Sequence, residues 1–258
     1  MNTITEHSAN FATVSSFAKS EPSPFYAICQ HTVTRWLPHP HIDRLSSEFI
    51  NMMQCVGSDL SVYQCPRCGC NDRDRHLWLY MGAAGILKAL PAARVLHIAP
   101  EVHIERLIQL RNPVEYVRGD LHPLSPHHVK LNLEALSFVD GHFDIIICNH
   151  VLEHVGDLQS CLRELYRCLS PRGVLIAQTP YSPVLKYTME CNAEVSPGFA
   201  THYFGQDDHV RLFGSDIADW FHRAGFRGEP IGHDAMLKNL DASALGCNRR
   251  EPFFAFTK

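Results

Sequence analysis

The sequence lacks any long hydrophobic run. Its longest apolar stretches, such as Ile145–Ile147 with their flanks, have the length of a strand, whereas a helix crossing a bilayer needs roughly 18 apolar residues. It also lacks an excess of positive charge. There are 23 Lys and Arg against 27 Asp and Glu, for a formal net charge of −4. No basic stripe stands out, so neither nucleic acid nor a membrane is an expected partner. The start, Met1 to Ser20, has no basic segment followed by an apolar core, so no secretory leader is expected there. The expected compartment is the cytoplasm. In it, the ten cysteines read as core residues, metal ligands or reactive thiols and not as a disulfide framework.

What is present is ordinary globular composition, 45% hydrophobic and 19% charged, with an unusual 17 His. The length suits one large α/β domain plus an extra element. Residues 1–24 read as a flexible arm. Residues 25–75 are irregular and rich in Cys, His, Pro and Arg. From about Asp74 a helical period begins, with Leu77, Tyr80, Met81 and Ala84 in phase, and Pro91 ends it. The alternating charges of Asp72–Arg73–Asp74–Arg75–His76 read as a salt-bridged entrance to that helix. The division expected is an arm, Cys-rich cap and lead-in helix over 1–90, then a Rossmann-like domain over 91–258.

In the second part strands alternate with helices. Arg94–Ala99, Val114–Arg118, His128–Leu133, Phe143–Asn149 and Val174–Gln178 read as strands, and Gly228–Gly232 and Pro252–Thr257 as two more. Phe143–Asn149 is apolar on both faces, as a central parallel strand should be. Val102–Leu110 and Leu158–Leu169 read as helices. Asp157 is the natural N-cap of the second, and Pro171–Arg172–Gly173 its stop. A later helix carries Ile217, Trp220, Phe221 and Ala224, with Ser215 as candidate cap. The order predicts a doubly wound, mostly parallel α/β sheet. Ligands of such sheets lie at the carboxyl ends of the strands, near the switch point. Asp120 follows the second strand, where a carboxylate can accept from two ribose hydroxyls. Asn149 and His150 follow the central strand, within reach of a ligand's amino-acid half or of the reaction centre.

From about Ala93 onward the chain resembles the class I S-adenosylmethionine-dependent methyltransferases. The resemblance rests on Phe143–Asp144, the apolar run after it and Val151–Leu152–Glu153–His154. It continues through Leu162–Leu169 with its Pro171–Gly173 turn, then Asp208–Arg211 and Ala224–Gly225–Phe226. It implies S-adenosylmethionine as cofactor, Asp120 on the ribose, and Asn132 and Leu133 along the adenine. The family's Asp-x-Gly-x-Gly loop is replaced by His97, Ala99 and Glu101 in Val95–Leu96–His97–Ile98–Ala99–Pro100–Glu101. Glycines there let the backbone approach the ligand. Glu101 instead offers a carboxylate, expected to accept from the cofactor's α-ammonium group. A subgroup resembling this chain shares the His-x-Ala-Pro-Glu form.

Cys65–Pro66–Arg67–Cys68–Gly69–Cys70 is a Cys-x-x-Cys knuckle suited to tetrahedral zinc. The upstream candidates for completing it are Cys29, His31 and Cys55, with Cys70 a close extra thiol. Related methyltransferases carry a Cys pair upstream of such a knuckle, which favours Cys29 and His31 as partners of Cys65 and Cys68 in a structural site. The N-terminal region is expected to cap the active site, with Phe25, Tyr26, Trp36 and Tyr63 as candidate lining.

The reading that follows is a methyltransferase acting on a small molecule or an amino acid. Displacement at an already activated sulfonium rests mainly on positioning and exclusion of water. If a base is needed, His150, His154 and Tyr181 are the candidates, and Tyr187 is placed to face the acceptor. Two other readings use the same residues. The cap sequence Cys-Pro-x-Cys-Gly-x-x-Asp-Arg-x-Arg-His is similar to that of azetidine-2-carboxylate synthases, which cyclise the cofactor and release methylthioadenosine. The alternative without catalysis is a module that binds the cofactor, or a partner through its zinc knuckle.

Overall fold

The computed structural model describes residues 28–29, 31–42, 47–191, 194–238 and 240–258. The expected arm, 1–24, and the aromatics Phe25 and Tyr26 lie outside them. Eight strands are found among the described residues: β1 (Arg94–Ile98), β2 (Glu115–Asp120), β3 (Val129–Lys130), β4 (Phe143–Cys148), β5 (Leu169–Ile176), β6 (Met189–Glu190), β7 (Arg211–Leu212) and β8 (Ala255–Thr257). Six make one sheet in the order β3-β2-β1-β4-β5-β8, while β6 and β7 form a separate ribbon. Every neighbour in the large sheet is parallel except β8, which runs antiparallel to β5. The chain winds outward from β1 to β3, then crosses back to lay β4 on the other side of β1. The switch point is therefore the gap between β1 and β4.

The helices are α1 (Glu48–Met52), α2 (Asp72–Ala83), α3 (Ile86–Ala89), α4 (Val102–Gln109), α5 (Leu158–Cys168), α6 (Pro197–Phe204), α7 (Ile217–Arg223), α8 (His233–Leu237) and α9 (Ala242–Leu245). The strand period of two sorts the central residues onto two faces. Leu96, Ile98, Ile146 and Cys148 pack with Leu162 and Leu165 of α5 and Phe221 of α7. Val95, Ile145 and Ile147 pack with Leu77, Tyr80 and Met81 of α2 and Ile104 and Ile108 of α4. The second core also takes in Ile28 and Trp36, so the segment before the sheet shares a core with it. Each such aliphatic side chain contributes about 1.5–3 kcal/mol on burial. None of the helices is long and apolar enough to cross a membrane among the described residues.

Several local expectations change. Asp157 caps α5 as expected, its side chain accepting from the Ser160 N–H at 3.0 Å. The helix, however, stops at Cys168. Leu169 turns extended (φ −75, ψ 136), so Pro171, Arg172 and Gly173 lie within β5 and are not the stop. Burial of Leu169 opposite Phe143 outweighs helix continuation there. Ser215 does not cap α7. Asp216 occupies that position without a capping bond, because its carboxylate accepts from Thr188 instead. Gly228–Gly232 forms no strand, only isolated bridges at Arg227–Thr257 and Ile231–Phe253. The third strand is reduced to Val129–Lys130, and α2 starts at Asp72 behind an Asn71 capping box with Asp74.

Candidate active site at the strand ends

Glu101 sits between the ends of β1 and β4. One carboxylate oxygen lies 2.7 Å from Nε2 of His97, and the other accepts from Asn149 Nδ2 at 3.2 Å. His97 is fully buried and meets the Tyr116 hydroxyl through Nδ1 at 2.9 Å. Asn149 in turn accepts from the Gln178 N–H at 3.0 Å, and Gln178 bonds Pro252 and Phe254. Side chains thus tie the tips of β1, β4 and β5 to the approach to β8. Burial works to raise the Glu101 pKa, but the hydrogen bond and charge of His97, with help from Asn149, hold the carboxyl below its usual range. A carboxylate has about four lone-pair sites. Two are used here, and a quarter of the side chain remains exposed.

Both turns beside this bridge are left-handed. Ala99 has φ 46 and His150 φ 52. Their N–H groups are held by neighbouring strand ends, Ala99 by the Gly119 carbonyl and His150 by the Gln178 carbonyl, each at 2.7 Å. Ala99 therefore takes the backbone conformation that glycine adopts most cheaply.

The other predicted cofactor residues divide. Asp120 ends β2, half-buried, with one oxygen accepting from the His122 N–H at 2.7 Å. Asn132 is exposed, and its Oδ1 accepts from the Glu134 N–H. Leu133 is buried in the core beside Leu131 and Leu136. Asp120 shares the strand-end side with Glu101 and Asn149, whereas the core holds Leu133.

Asp74 is the residue that sequence reasoning missed. It is 3% exposed, and its Oδ1 is buried without a hydrogen-bond partner among the described residues. Burial first, and the negative charge of Glu101 second, push its carboxyl up to about 6. The charge run that contains it is not laced together by ion pairs. Arg75 spends its guanidinium on the carbonyls of Val62, Tyr63, Cys70, Leu245 and Gly246, over the face of Trp36 at 3.9 Å. His76 is buried between Glu251 (3.3 Å) and His233 (2.9 Å). The signal available was a capping motif, Asn-x-x-Asp, read only as charge alternation.

A cleft of about 240 Å³ opens beside His150 and is lined by Val56, Tyr63, Arg73, Pro180 and His209 among others. Tyr63 is thus on the cleft, while Trp36 is in the core. Tyr181 is half-buried, bridged to Val56 and Phe213, with its ring edge-on to Phe254; burial raises its pKa. Tyr187 is exposed. Behind the cleft lies Glu153, 1% exposed, 3.5 Å from His150 Nδ1 and accepting from the Thr179 hydroxyl at 3.1 Å. Burial opposes its ionisation, yet His150, then His209 and His154, hold it down at about 2.

The thiols of Cys29, Cys65 and Cys68 lie within 4.8 Å of one another, with Cys29 and Cys65 sulfurs 3.9 Å apart. Burial tends to raise the Cys65 pKa, but the N–H groups of Cys68 and Arg67 aimed at its sulfur lower it overall. N–H groups directed at a thiolate are what a metal knuckle provides. His31 stays outside this group and turns Nδ1 to the Cys29 carbonyl at 2.5 Å. Cys70 is buried against Arg75, and Cys55 packs near α6, away from the knuckle.

The methyltransferase-domain family profile matches residues 48–230, and the chain belongs to that family. The Ubiquinone/menaquinone biosynthesis C-methyltransferase UbiE of Vibrio parahaemolyticus is 38% identical over 60 residues, 23% of each chain. The malonyl-[acyl-carrier protein] O-methyltransferase of Halorhodospira halophila is 27% identical over 135 residues, 49% of this chain and 43% of that one. The chain thus spans under half of the length of these curated relatives. An S-adenosylmethionine-dependent methyltransferase structure from Mesorhizobium loti superposes with a TM-score of 0.48 at 14% identity, covering 70% of this chain and all of that one.

Proposed function

We propose that the chain transfers the methyl group of S-adenosylmethionine to a small molecule or an amino acid. The observation that carries this reading is the pair of carboxylates at the switch point. Glu101 is held ionised across the β1–β4 gap, and Asp74, which feels the Glu101 charge, has a buried oxygen without a hydrogen-bond partner among the described residues. Two carboxylates near enough to repel fit a ligand that brings positive charge. S-adenosylmethionine carries an α-ammonium and a sulfonium, and when bound it supplies an already activated methyl group. Glu101 would accept from the ammonium, Asn149 would orient Glu101, and Asp120 would take the ribose hydroxyls. Asn132 would border the adenine from the surface, with Leu133 as core support behind it.

On the acceptor side, His150 faces the cleft from a backbone held by Gln178. We assign it the role of positioning the acceptor and receiving its proton where it arrives protonated, with Tyr181, next in the chain to the cleft-lining Pro180, in support. The residues before position 90 serve as a cap, since Val56, Tyr63 and Arg73 line the same cleft. The relatives named for C- and O-methylation of small or carrier-bound molecules support this substrate class. A structural zinc on Cys29, Cys65 and Cys68 fits the convergent thiols, with His31 as fourth ligand after its ring swings from the Cys29 carbonyl. Ten unpaired cysteines support the cytoplasm as the compartment.

Product analysis tests the reading. With S-adenosylmethionine and a panel of small acceptors, S-adenosylhomocysteine should form. Methylthioadenosine from the cofactor alone would select cyclisation instead, and binding without turnover would select the non-catalytic module. Calorimetry on Glu101→Ala should show cofactor affinity falling ~10–100-fold, from loss of a charged hydrogen bond of about 1.5–3 kcal/mol. Unchanged affinity removes Glu101 from the site.

A further inference from the structure

The turn after β4 and the segment before β7 bring a second cluster together. Glu153, His154 and His209 each offer one ligand atom, all within 4.8 Å of one another. Neither the cofactor bridge nor the thiol knuckle uses them. We propose that these three residues hold a divalent transition-metal ion of the zinc or iron(II) class at the floor of the acceptor cleft.

His209 carries the argument. It is 3% exposed, and its Nδ1 lies 2.8 Å from the Phe204 carbonyl. A carbonyl only accepts, so Nδ1 bears the hydrogen and Nε2 presents a lone pair. That Nε2 is buried and, among the described residues, has no hydrogen-bond partner. An imidazole anchored through one nitrogen to a backbone carbonyl, with the other bare, is how proteins prepare a metal ligand. His154 is held the same way from outside, its Nδ1 3.2 Å from an oxygen of Asp208. Glu153 supplies a buried carboxylate oxygen to the same point.

The framework around the three is rigid. Arg211, 3% exposed, donates to the carbonyls of Leu152, Val155 and Gly156, which clamps the turn bearing Glu153 and His154. The Val210 N–H donates to the Glu153 carbonyl at 3.0 Å. So the residues that flank His209 are stitched to those that flank Glu153. Two imidazoles and one carboxylate suit zinc or iron(II), whereas calcium and magnesium prefer all-oxygen shells. Three protein ligands leave positions open, and His209 lines the cleft. Under the methyltransferase reading, on which this role rests, the open positions would meet an acceptor oxygen and ease its deprotonation.

Cobalt(II) is the probe. The protein with Cys65→Ser and Cys68→Ser, which lacks the thiol knuckle, should still bind about one ion per chain, with weak d–d absorption and no thiolate charge-transfer band. Adding His209→Ala or the isosteric Glu153→Gln should weaken that binding ~100-fold or more, in samples whose thermal melts show them folded. In the unmutated chain, cobalt should broaden the His154 and His209 ring resonances and leave His222 sharp. Failure of the double Cys→Ser variant to bind cobalt, binding indifferent to both further substitutions, or a His209 signal left sharp overturns the site. S-adenosylhomocysteine calorimetry on the same samples separates the two readings. If the cofactor product fails to bind but cobalt does, the methyltransferase reading falls and the metal site stands.

Discussion

Around β4 the buried residues are Phe143, Ile145, Ile146, Ile147 and Cys148, and the segment that leads into the sheet buries Asp72, Asp74, Arg75 and His76 as well as aromatics. Ile145 and Ile147 of the strand share one core with Leu77, Tyr80 and Met81 of the lead-in, yet different forces hold the two regions. The strand is stabilised by apolar area removed from water, which is roughly additive and tolerant of exchange between aliphatics. The lead-in is stabilised by directional bonds from charged groups to distant carbonyls. Such bonds are cheap to form only when every partner is in place and costly when one is missing. A hydrophobic sheet can therefore vary in sequence, whereas the lead-in depends on particular atoms.

Conservative changes should separate the two regions most sharply. Arg75→Lys keeps the charge but loses the planar fork that reaches five carbonyls, and is expected to cost about 3–5 kcal/mol in urea unfolding. Ile146→Val, at an equally buried position of β4, is expected to cost only about 0.5–1.5 kcal/mol. Equal losses would erase the distinction.

Gly119 tests the sheet from within. A Cβ there would stand 2.0 Å from Leu131 Cδ1, so Gly119→Ala should lose about 1–3 kcal/mol and loosen the end of β2 that carries Asp120. A neutral melt would show that Leu131 moves aside freely.

The lead-in should also show its own pH dependence. Burial, then the charge of Glu251, pushes the Asp72 carboxyl up to about 7, and burial with Glu101 puts Asp74 at about 6. In the unfolded chain both ionise near pH ~4. The folded protein then holds protons that the unfolded chain has released. The stability they contribute is full below pH ~4 and is lost as pH rises to about 7. Asp72→Asn keeps an acceptor for the Asp59 N–H and removes the ionisation. It should flatten that decline and gain on the order of 1–2 kcal/mol at pH ~8. A slope unchanged by the substitution would assign it to other groups.

The smallest effect is expected at Ala99, whose φ of 46 suits glycine. Ala99→Gly relieves the left-handed backbone but frees the unfolded chain, two changes of about 0.5–1 kcal/mol that oppose each other. A melt within a degree or two of the original is the expected result. A large loss would mean that the alanine methyl is needed where it packs against the core.

Legibility followed the same division. β1, β4 and α5 were readable to within a few residues because one apolar period decides them, and Asp157 because capping is local. That Glu101 and Asn149 lie close together was readable because both follow strands that the topology must set side by side. The end of α5 was misread because Pro171 and Gly173 look like a stop, while the deciding contact, Leu169 against Phe143, is remote. Asp74 was missed because its burial and the Glu101 charge that acts on it come from tertiary packing and not from its neighbours in sequence. His209 lies in the Asp208–Arg211 motif, but its surroundings depend on the Phe204 carbonyl and the turn after β4.

The amino-acid sequence by itself determined the strand–helix order, the parallel sheet and the strand ends that carry Glu101, Asp120 and Asn149. Those follow from periods of two and 3.6 and from the short reach of caps and turns. Only the tertiary structure decided that Cys29 joins Cys65 and Cys68 while His31 turns away. It alone decided that Arg75 and His76 point inward, and that Glu153, His154 and His209 converge behind the cleft. Those outcomes rest on hydrogen bonds between residues far apart in the chain, whose partners no local pattern names.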